Sequence, residues 1–268
     1  MTRYLLIFVS LVISTMTLTH ATPVLRRAPT EAPFIEGVNS KSQILGPHDR
    51  PWILGLYGAD VDYRRMSSFK TKFHGVKIGK KISTQYREDR RTQLAIVSSE
   101  KGTLAKIFLY EEDRDKWEAT AELEALEAIS KPTDVAAGTI SDPVHGARRS
   151  VILMKNVGGE DLFESNCYKK AAADPKKLHK LNKQLYRELH NVVYRFAKEK
   201  QILHADFHTG NLRITFGILT CTIKSIALID WGYPGIFTVE RGLSLEDFDP
   251  WFLARYKHRL YKEEHEAN

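Results

Sequence analysis

Three oxygen-bearing side chains stand close together late in the chain. Asp206 and Asn211 lie within His204-Ala205-Asp206-Phe207-His208-Thr209-Gly210-Asn211, and Asp230 opens Asp230-Trp231-Gly232. Moving a phosphoryl group from a nucleotide to a hydroxyl asks a protein for three such groups. One carboxylate orients the attacking hydroxyl, while an amide oxygen and a second carboxylate hold magnesium against the phosphates. Asp206, Asn211 and Asp230 supply them in that order. A lone His-x-Asp would be read as a turn closed by an Asx hydrogen bond; the second motif, with apolar strand-like sequence around both, makes the chemical reading the stronger one.

Groups of this kind must be held by a sheet-and-helix framework, and the sequence marks one out. Val76–Gly79, Thr92–Val97 and Leu104–Tyr110 alternate or run apolar as short strands, the last two joined by Ser98-Ser99-Glu100-Lys101-Gly102. Residues Asp113–Ser130, rich in Ala, Glu and Leu, form a helix stopped by Pro132. Ser150–Met154 is a further strand, closed by Lys155-Asn156 and the Gly158-Gly159 pair. Asp174-Pro175 then opens a long helix as cap and first-turn proline. Its apolar stripe runs through Leu178, Leu181, Leu185, Leu189, Val192, Val193 and Phe196. Leu212–Thr215 and Ser225–Ile229 read as two strands of a hairpin. The tail from Leu245 to Glu264 is helical, led by Asp249-Pro250, with Trp251, Phe252, Leu253, Tyr256 and Leu260 for burial. Strands with one helix, followed by helices with a small hairpin, describe an α+β protein.

The early strands also carry a cation. Lys106 sits in Leu104-Ala105-Lys106-Ile107 among small and apolar neighbours, and on the next helix Glu122 precedes Leu123, Leu126 and Ile129 on one face. Glu118 and Glu124 compete as partners for the lysine; Glu122 is preferred because its apolar neighbours turn that side toward the sheet. Strand Val151–Met154 with Asn156 after it offers backbone groups to an adenine edge and apolar side chains to its ring.

With these residues in order, the chain from Val76 to about Val239 resembles the protein kinase-like superfamily. The catalytic loop is similar to that of aminoglycoside and choline phosphotransferases and of atypical kinases, which place a histidine where Ser/Thr kinases carry lysine. The resemblance implies a two-lobed kinase-like fold with a truncated C-terminal lobe. It implies ATP and Mg²⁺ as cofactors (Mn²⁺ as the alternative metal) and a protein or small-molecule hydroxyl as acceptor. Asp206 would be the catalytic base, Asn211 and Asp230 the metal ligands, and Lys106 the phosphate contact anchored by Glu122. Met154 and Asn156 would line the nucleotide, and His204 and His208 would support the loop.

The chain also departs from that family. No G-x-G-x-x-G lies between the first strands, where Gly79 stands alone before a long basic segment, Lys80–Arg91. Ala205 replaces the arginine that answers an activation-loop phosphate, so no such switch is expected. There is no Ala-Pro-Glu, and the tail after Gly232 is too short for all the helices that dock peptides. These departures keep a catalytically inactive binding protein as the rival expectation.

Composition agrees with a nucleotide partner without requiring it. Among 268 residues, 40 Lys and Arg against 33 Asp and Glu leave a net charge of +7, which favours acidic ligands. The basic residues are scattered, with no stripe of interleaved aromatics, so nucleic acid is not expected. Residues 1–21 read as a cleavable signal peptide: a short basic start, an apolar run and small residues at the cleavage site. Residues 22–60 read as a linker or arm, 61–156 as an N-terminal lobe and 157–268 as a C-terminal lobe. Arg26-Arg27 is a candidate dibasic processing site. These features imply export, with delivery to another cell as one destination, and no membrane span in the mature chain. Cys167 and Cys221 could pair in an oxidising compartment, which spacing alone does not decide.

Overall fold

A computed structural model of the chain describes residues 45–58, 68–82, 92–109, 113–141, 148–232 and 235–261. The signal-peptide and processing-site readings, and most of the basic segment Lys80–Arg91, lie outside the described residues. The chain is a mixed α and β protein that divides into two compact units. The first is built mainly from Tyr57–Val157 and takes in Trp231–Tyr233; the second contains Gly158–Asp230, the tail from Pro234, and the segment before Tyr57.

The first unit is a five-stranded antiparallel sheet in the order β2-β3-β4-β6-β5, with helix α1 packed against β5 and β6. The strands are β2 (Ile78–Lys81), β3 (Thr92–Val97), β4 (Thr103–Phe108), β5 (Val135–Ser141) and β6 (Arg148–Lys155); α1 spans Asp113–Ile129. β3 runs over the residues expected. β2 begins two residues later than its sequence pattern suggests, and β5 was not anticipated. Its sequence, Val-Ala-Ala-Gly-Thr-Ile-Ser, has small residues where a strand signal needs bulky ones. The small residues suit close neighbours: a Cβ at Gly138 would lie 2.6 Å from the Thr71 carbonyl oxygen and 2.7 Å from the Phe73 ring. Strand alternation sorts the side chains of this sheet. Ala105 and Ile107 turn to a core with Val97, Ile140, Val151 and Leu153, leaving Lys106 on the other face.

In the second unit, β1 (Ile53–Leu56), β10 (Ile236–Val239) and β7 (Ile202–His204) form an antiparallel sheet in that order. β1 falls within the stretch whose composition reads as an arm. The hairpin β8 (Leu212–Phe216) and β9 (Ile223–Leu228) follows the His204–Asn211 segment. Helix α2 (Asn166–Ala172) was not anticipated; Ser165 caps it by accepting from the Tyr168 N–H. A disulfide between Cys167 and Cys221 ties this helix to the hairpin.

Helix α3 (Pro175–Lys200) is capped by Asp174, whose carboxylate accepts from the Lys176 and Lys177 N–H groups. It buries Leu181, Leu185, Leu189, Val192, Val193 and Phe196. Gln201 closes it in the left-handed conformation at φ 56°. Helix α4 (Leu245–Tyr256) begins at Leu245, where the sequence starts the helical tail, because Ser244 caps it; the Asp249-Pro250 pair expected to lead it lies inside the helix. It passes into a single π-type turn, Lys257–Tyr261. Phe248, Trp251, Phe252 and Tyr256 are buried. They pack on Trp52, Tyr186, His190 and Phe207. Among the described residues no helix is long and apolar enough to cross a membrane.

Candidate active site

On β4, Lys106 stands opposite Leu94 of β3 and Ile152 of β6. Its ammonium reaches α1, where Nζ lies 2.7 Å from both carboxylate oxygens of Glu122. The lysine side chain is 13% exposed and the glutamate 4%, so the pair is largely removed from water. Leu123 and Leu126 are buried with Glu122, joined by Ala121 and Ala125, whose small side chains let the helix approach closely. The preferred candidate, Glu122, meets the lysine; the side chain of Glu118 lies outside the described residues. Gly232 adjoins this pair: a Cβ there would come 2.8 Å from Glu122 Oε2 and 3.4 Å from Lys106 Nζ.

Met154, on β6, pairs with Leu104 and Val135 and is half-buried. Asn156 follows on the surface, and its N–H donates to the Gly102 carbonyl at 2.7 Å. That N–H is thereby spent on the β3–β4 turn.

The second unit builds the loop around Asp206 from its backbone outward. Ala205 N–H donates to Gly235 O, Asn211 N–H to His208 O and Ile229 N–H to Asn211 O. Asn211 is buried, and its Nδ2 donates to the Asp206 carbonyl at 2.8 Å and to Asp206 Oδ2 at 3.3 Å. Fixing the amide by its nitrogen turns Oδ1 into the available acceptor, a hard oxygen suited to Mg²⁺. Gly235 is required on steric grounds, since a Cβ there would sit 2.7 Å from Asp206 Cβ.

Both loop histidines act as supports. His204 is fully buried, and burial lowers its pKa, so the neutral ring donates from Nε2 to Ile229 O at 2.9 Å. His208 caps the turn Thr209–Asn211 by accepting from the Gly210 N–H at Nδ1. That leaves its N–H at Nε2, 3.7 Å from Asp206 Oδ2. Asp230 occupies the left-handed region at φ 60°, a conformation that Asp tolerates better than most non-glycine residues. Among the described residues no group of three or more His, Cys, Asp or Glu gathers to hold a metal.

Two arginines complete the surroundings of Asp206, and the motifs do not reveal them. Arg255, 1% exposed, donates from Nε to the Ala205 carbonyl at 2.8 Å. Arg259 Nη2 lies 3.3 Å from Asp206 Oδ1. A guanidinium from α4 thus reaches the loop at Ala205, where the family resemblance leads one to expect an arginine in the loop itself. The signal was present as periodicity: Phe248, Trp251, Phe252, Arg255 and Tyr256 share one helical stripe, which places Arg255 inside. Burial and the Arg259 charge push the Arg255 pKa down to about 9, which leaves it protonated at neutral pH. Compared with known proteins, the chain matches no family model and no curated sequence.

Proposed function

We propose that this chain is an ATP- and Mg²⁺-dependent phosphotransferase of the two-lobed kinase-like type, moving the γ-phosphoryl group to a hydroxyl of a protein Ser/Thr side chain. The observation that carries the reading is the buried Lys106–Glu122 pair at 2.7 Å. Taking two charges out of water costs several kcal/mol per ion before their attraction repays it, so such a pair is weak support for stability alone and is better explained by holding a cation ready for phosphate. The Asp206–Asn211 hydrogen bonds and the motif order support the same reading.

In this proposal Lys106 contacts the α- and β-phosphates, with Glu122 fixing its direction. Asp206 accepts a hydrogen bond from the acceptor hydroxyl and takes its proton. The hydroxyl oxygen forms the new bond to phosphorus as the bond to the β-phosphate oxygen breaks. Asn211 Oδ1 and the Asp230 carboxylate fit a hard divalent cation, whose charge when bound would offset that of the phosphates. Met154 borders the base.

A second reading, nucleotide or partner binding without turnover, is favoured by one specific feature: the sequence has no glycine-rich loop before β3. One assay separates the two. The chain from Thr22 onward is incubated with γ-labelled ATP and Mg²⁺ or Mn²⁺, a generic protein substrate and a panel of small hydroxy compounds, beside Asp206→Asn and Asp230→Asn. Transfer by wild type, reduced about 10²–10⁴-fold in Asp206→Asn, is expected. Label on the small compounds alone would move the acceptor class. A metal-dependent nucleotide shift in Tm without transfer would select the binding protein, and neither signal would refute both.

A further inference from the structure

The tail helix brings more positive charge to Asp206 than that carboxylate answers. His48 is 6% exposed, and its ring centroid lies 5.8 Å from that of His258. The turn Gly46–His48 packs against α4, the helix that carries Arg255; the charges of Arg255, His258 and Arg50 help burial to lower the His48 pKa. Among the described residues, three buried nitrogens of this cluster have no hydrogen-bond partner: His48 Nε2, Arg255 Nη2 and Arg259 Nε. A buried guanidinium N–H left unmade costs free energy that a packed core does not normally carry, and three orphaned atoms in one electrostatic neighbourhood point to an absent acceptor.

We propose that His48, Arg255 and Arg259 form a binding site for a phosphate monoester beside Asp206, and that this site receives a phosphate already carried by the acceptor substrate. The assignment to the acceptor rests on the phosphotransferase reading; the anion site rests on the orphaned nitrogens and the packing of the Gly46–His48 turn on α4. Arginine's planar fork suits phosphate oxygens, and two guanidiniums with an imidazole match a dianion that offers several acceptor atoms. Arg259, with a side chain 27% exposed, is the member that reaches solvent. Its contact with Asp206 Oδ1 gives a bound phosphate a direct link to the proposed base: an oxyanion on the Arg259 guanidinium draws it away from Asp206 and places the acceptor next to that carboxylate. Burial and the neighbouring Arg255 charge hold His48 down at a pKa of about 4, so an anion would also supply the countercharge that lets its ring take a proton.

The test is a thermal-shift and calorimetric titration of the chain from Thr22 onward with inorganic phosphate, O-phosphoserine and acetate at fixed ionic strength. Wild type, Arg259→Gln, His48→Gln and Lys106→Met are compared, and Mg²⁺–nucleotide is titrated into wild type alongside. The expected result is saturable binding of phosphate and phosphoserine. It should weaken at least about tenfold in Arg259→Gln and His48→Gln and persist in Lys106→Met. Phosphate binding lost in Lys106→Met but kept in the other two would place the anion elsewhere and overturn the site, as would acetate binding as tightly as phosphate. No phosphate binding by a protein that binds nucleotide overturns the site and leaves the phosphotransferase reading in place. Phosphate binding at this cluster without nucleotide binding keeps the anion site and overturns its assignment to an acceptor. Arg255→Gln is left out of the decisive set because its Nε bond to the catalytic loop makes misfolding the simplest outcome.

Discussion

Removing one partner of the Lys106–Glu122 pair tests whether it is the desolvated contact that the geometry describes. In Glu122→Leu the ammonium remains at a site where its own side chain is 13% exposed and its former partner 4%. Removing one partner of a buried pair costs about 3–5 kcal/mol. The exposed pair Lys169–Glu164, with side chains 57% and 80% exposed, is the internal control. Its loss through Glu164→Gln should cost about 0.2–1 kcal/mol, because solvent screens it. The double variant Lys106→Met/Glu122→Leu removes both charges and should recover most of the loss, since an apolar pair of similar volume is often neutral or stabilising. Urea denaturation followed by tryptophan fluorescence supplies the four stabilities of a double-mutant cycle. The expected coupling between positions 106 and 122 is of order 3 kcal/mol. If Glu122→Leu costs no more than Glu164→Gln, or the double variant is as unstable as the sum of the singles, the pair is not a buried unit and the main support for the proposed function falls.

Other perturbations follow from single contacts. Gly235→Ala would place a Cβ 2.7 Å from Asp206 Cβ, a carbon–carbon clash that only loop movement relieves; a loss of about 1–3 kcal/mol by denaturant titration is expected, together with reduced transfer. His48 binds no proton when folded until about pH 4 but titrates near 6.5 when unfolded, so the unfolded chain takes up the extra proton between those values. Stability should therefore fall as pH drops from about 6.5 to 4, by at most about 1.4 kcal/mol per pH unit from this residue. Buried His204 adds a slope of the same sign, so His48→Gln should flatten the pH dependence of Tm without abolishing it. The disulfide closes a loop of sequence separation 54. Chain entropy assigns its loss about 4 kcal/mol, so Cys221→Ser, or reduction, should lower Tm by several degrees. An unchanged Tm would show that the unfolded chain gains no freedom from cutting the link.

The contacts that were legible beforehand share a physical cause: they obey short-range rules. The Asp174 cap, the stripe from Leu181 to Phe196 and the alternation that turns Lys106 away from Ala105 and Ile107 each depend on residues within a turn or a strand. The choice of Glu122 over its neighbours followed from helical periodicity alone. Strand β5 was missed because Ala136, Ala137 and Gly138 carry little strand signal; their reason for being small is Thr71 and Phe73, which are distant in sequence. The Asp249-Pro250 pair lies inside α4 and does not lead it, because the Ser244 cap starts the helix one turn earlier.

The chemistry of the Asp206 loop divides the same way. Residue types and local spacing were enough to propose Asp206 as a base and Asn211 and Asp230 as metal ligands, and to mark a resemblance to a family of catalytic loops. The surroundings of Asp206 were settled only by long-range packing. Arg255 and Arg259 come from a helix some fifty residues further on, with Arg255 bonded to Ala205 across a sequence separation of 50. His48 arrives from the other end of the second unit. Local propensity places side chains on a face, whereas the burial of Phe248, Trp251 and Phe252 against the loop and its neighbours decides which charges share a low-dielectric environment.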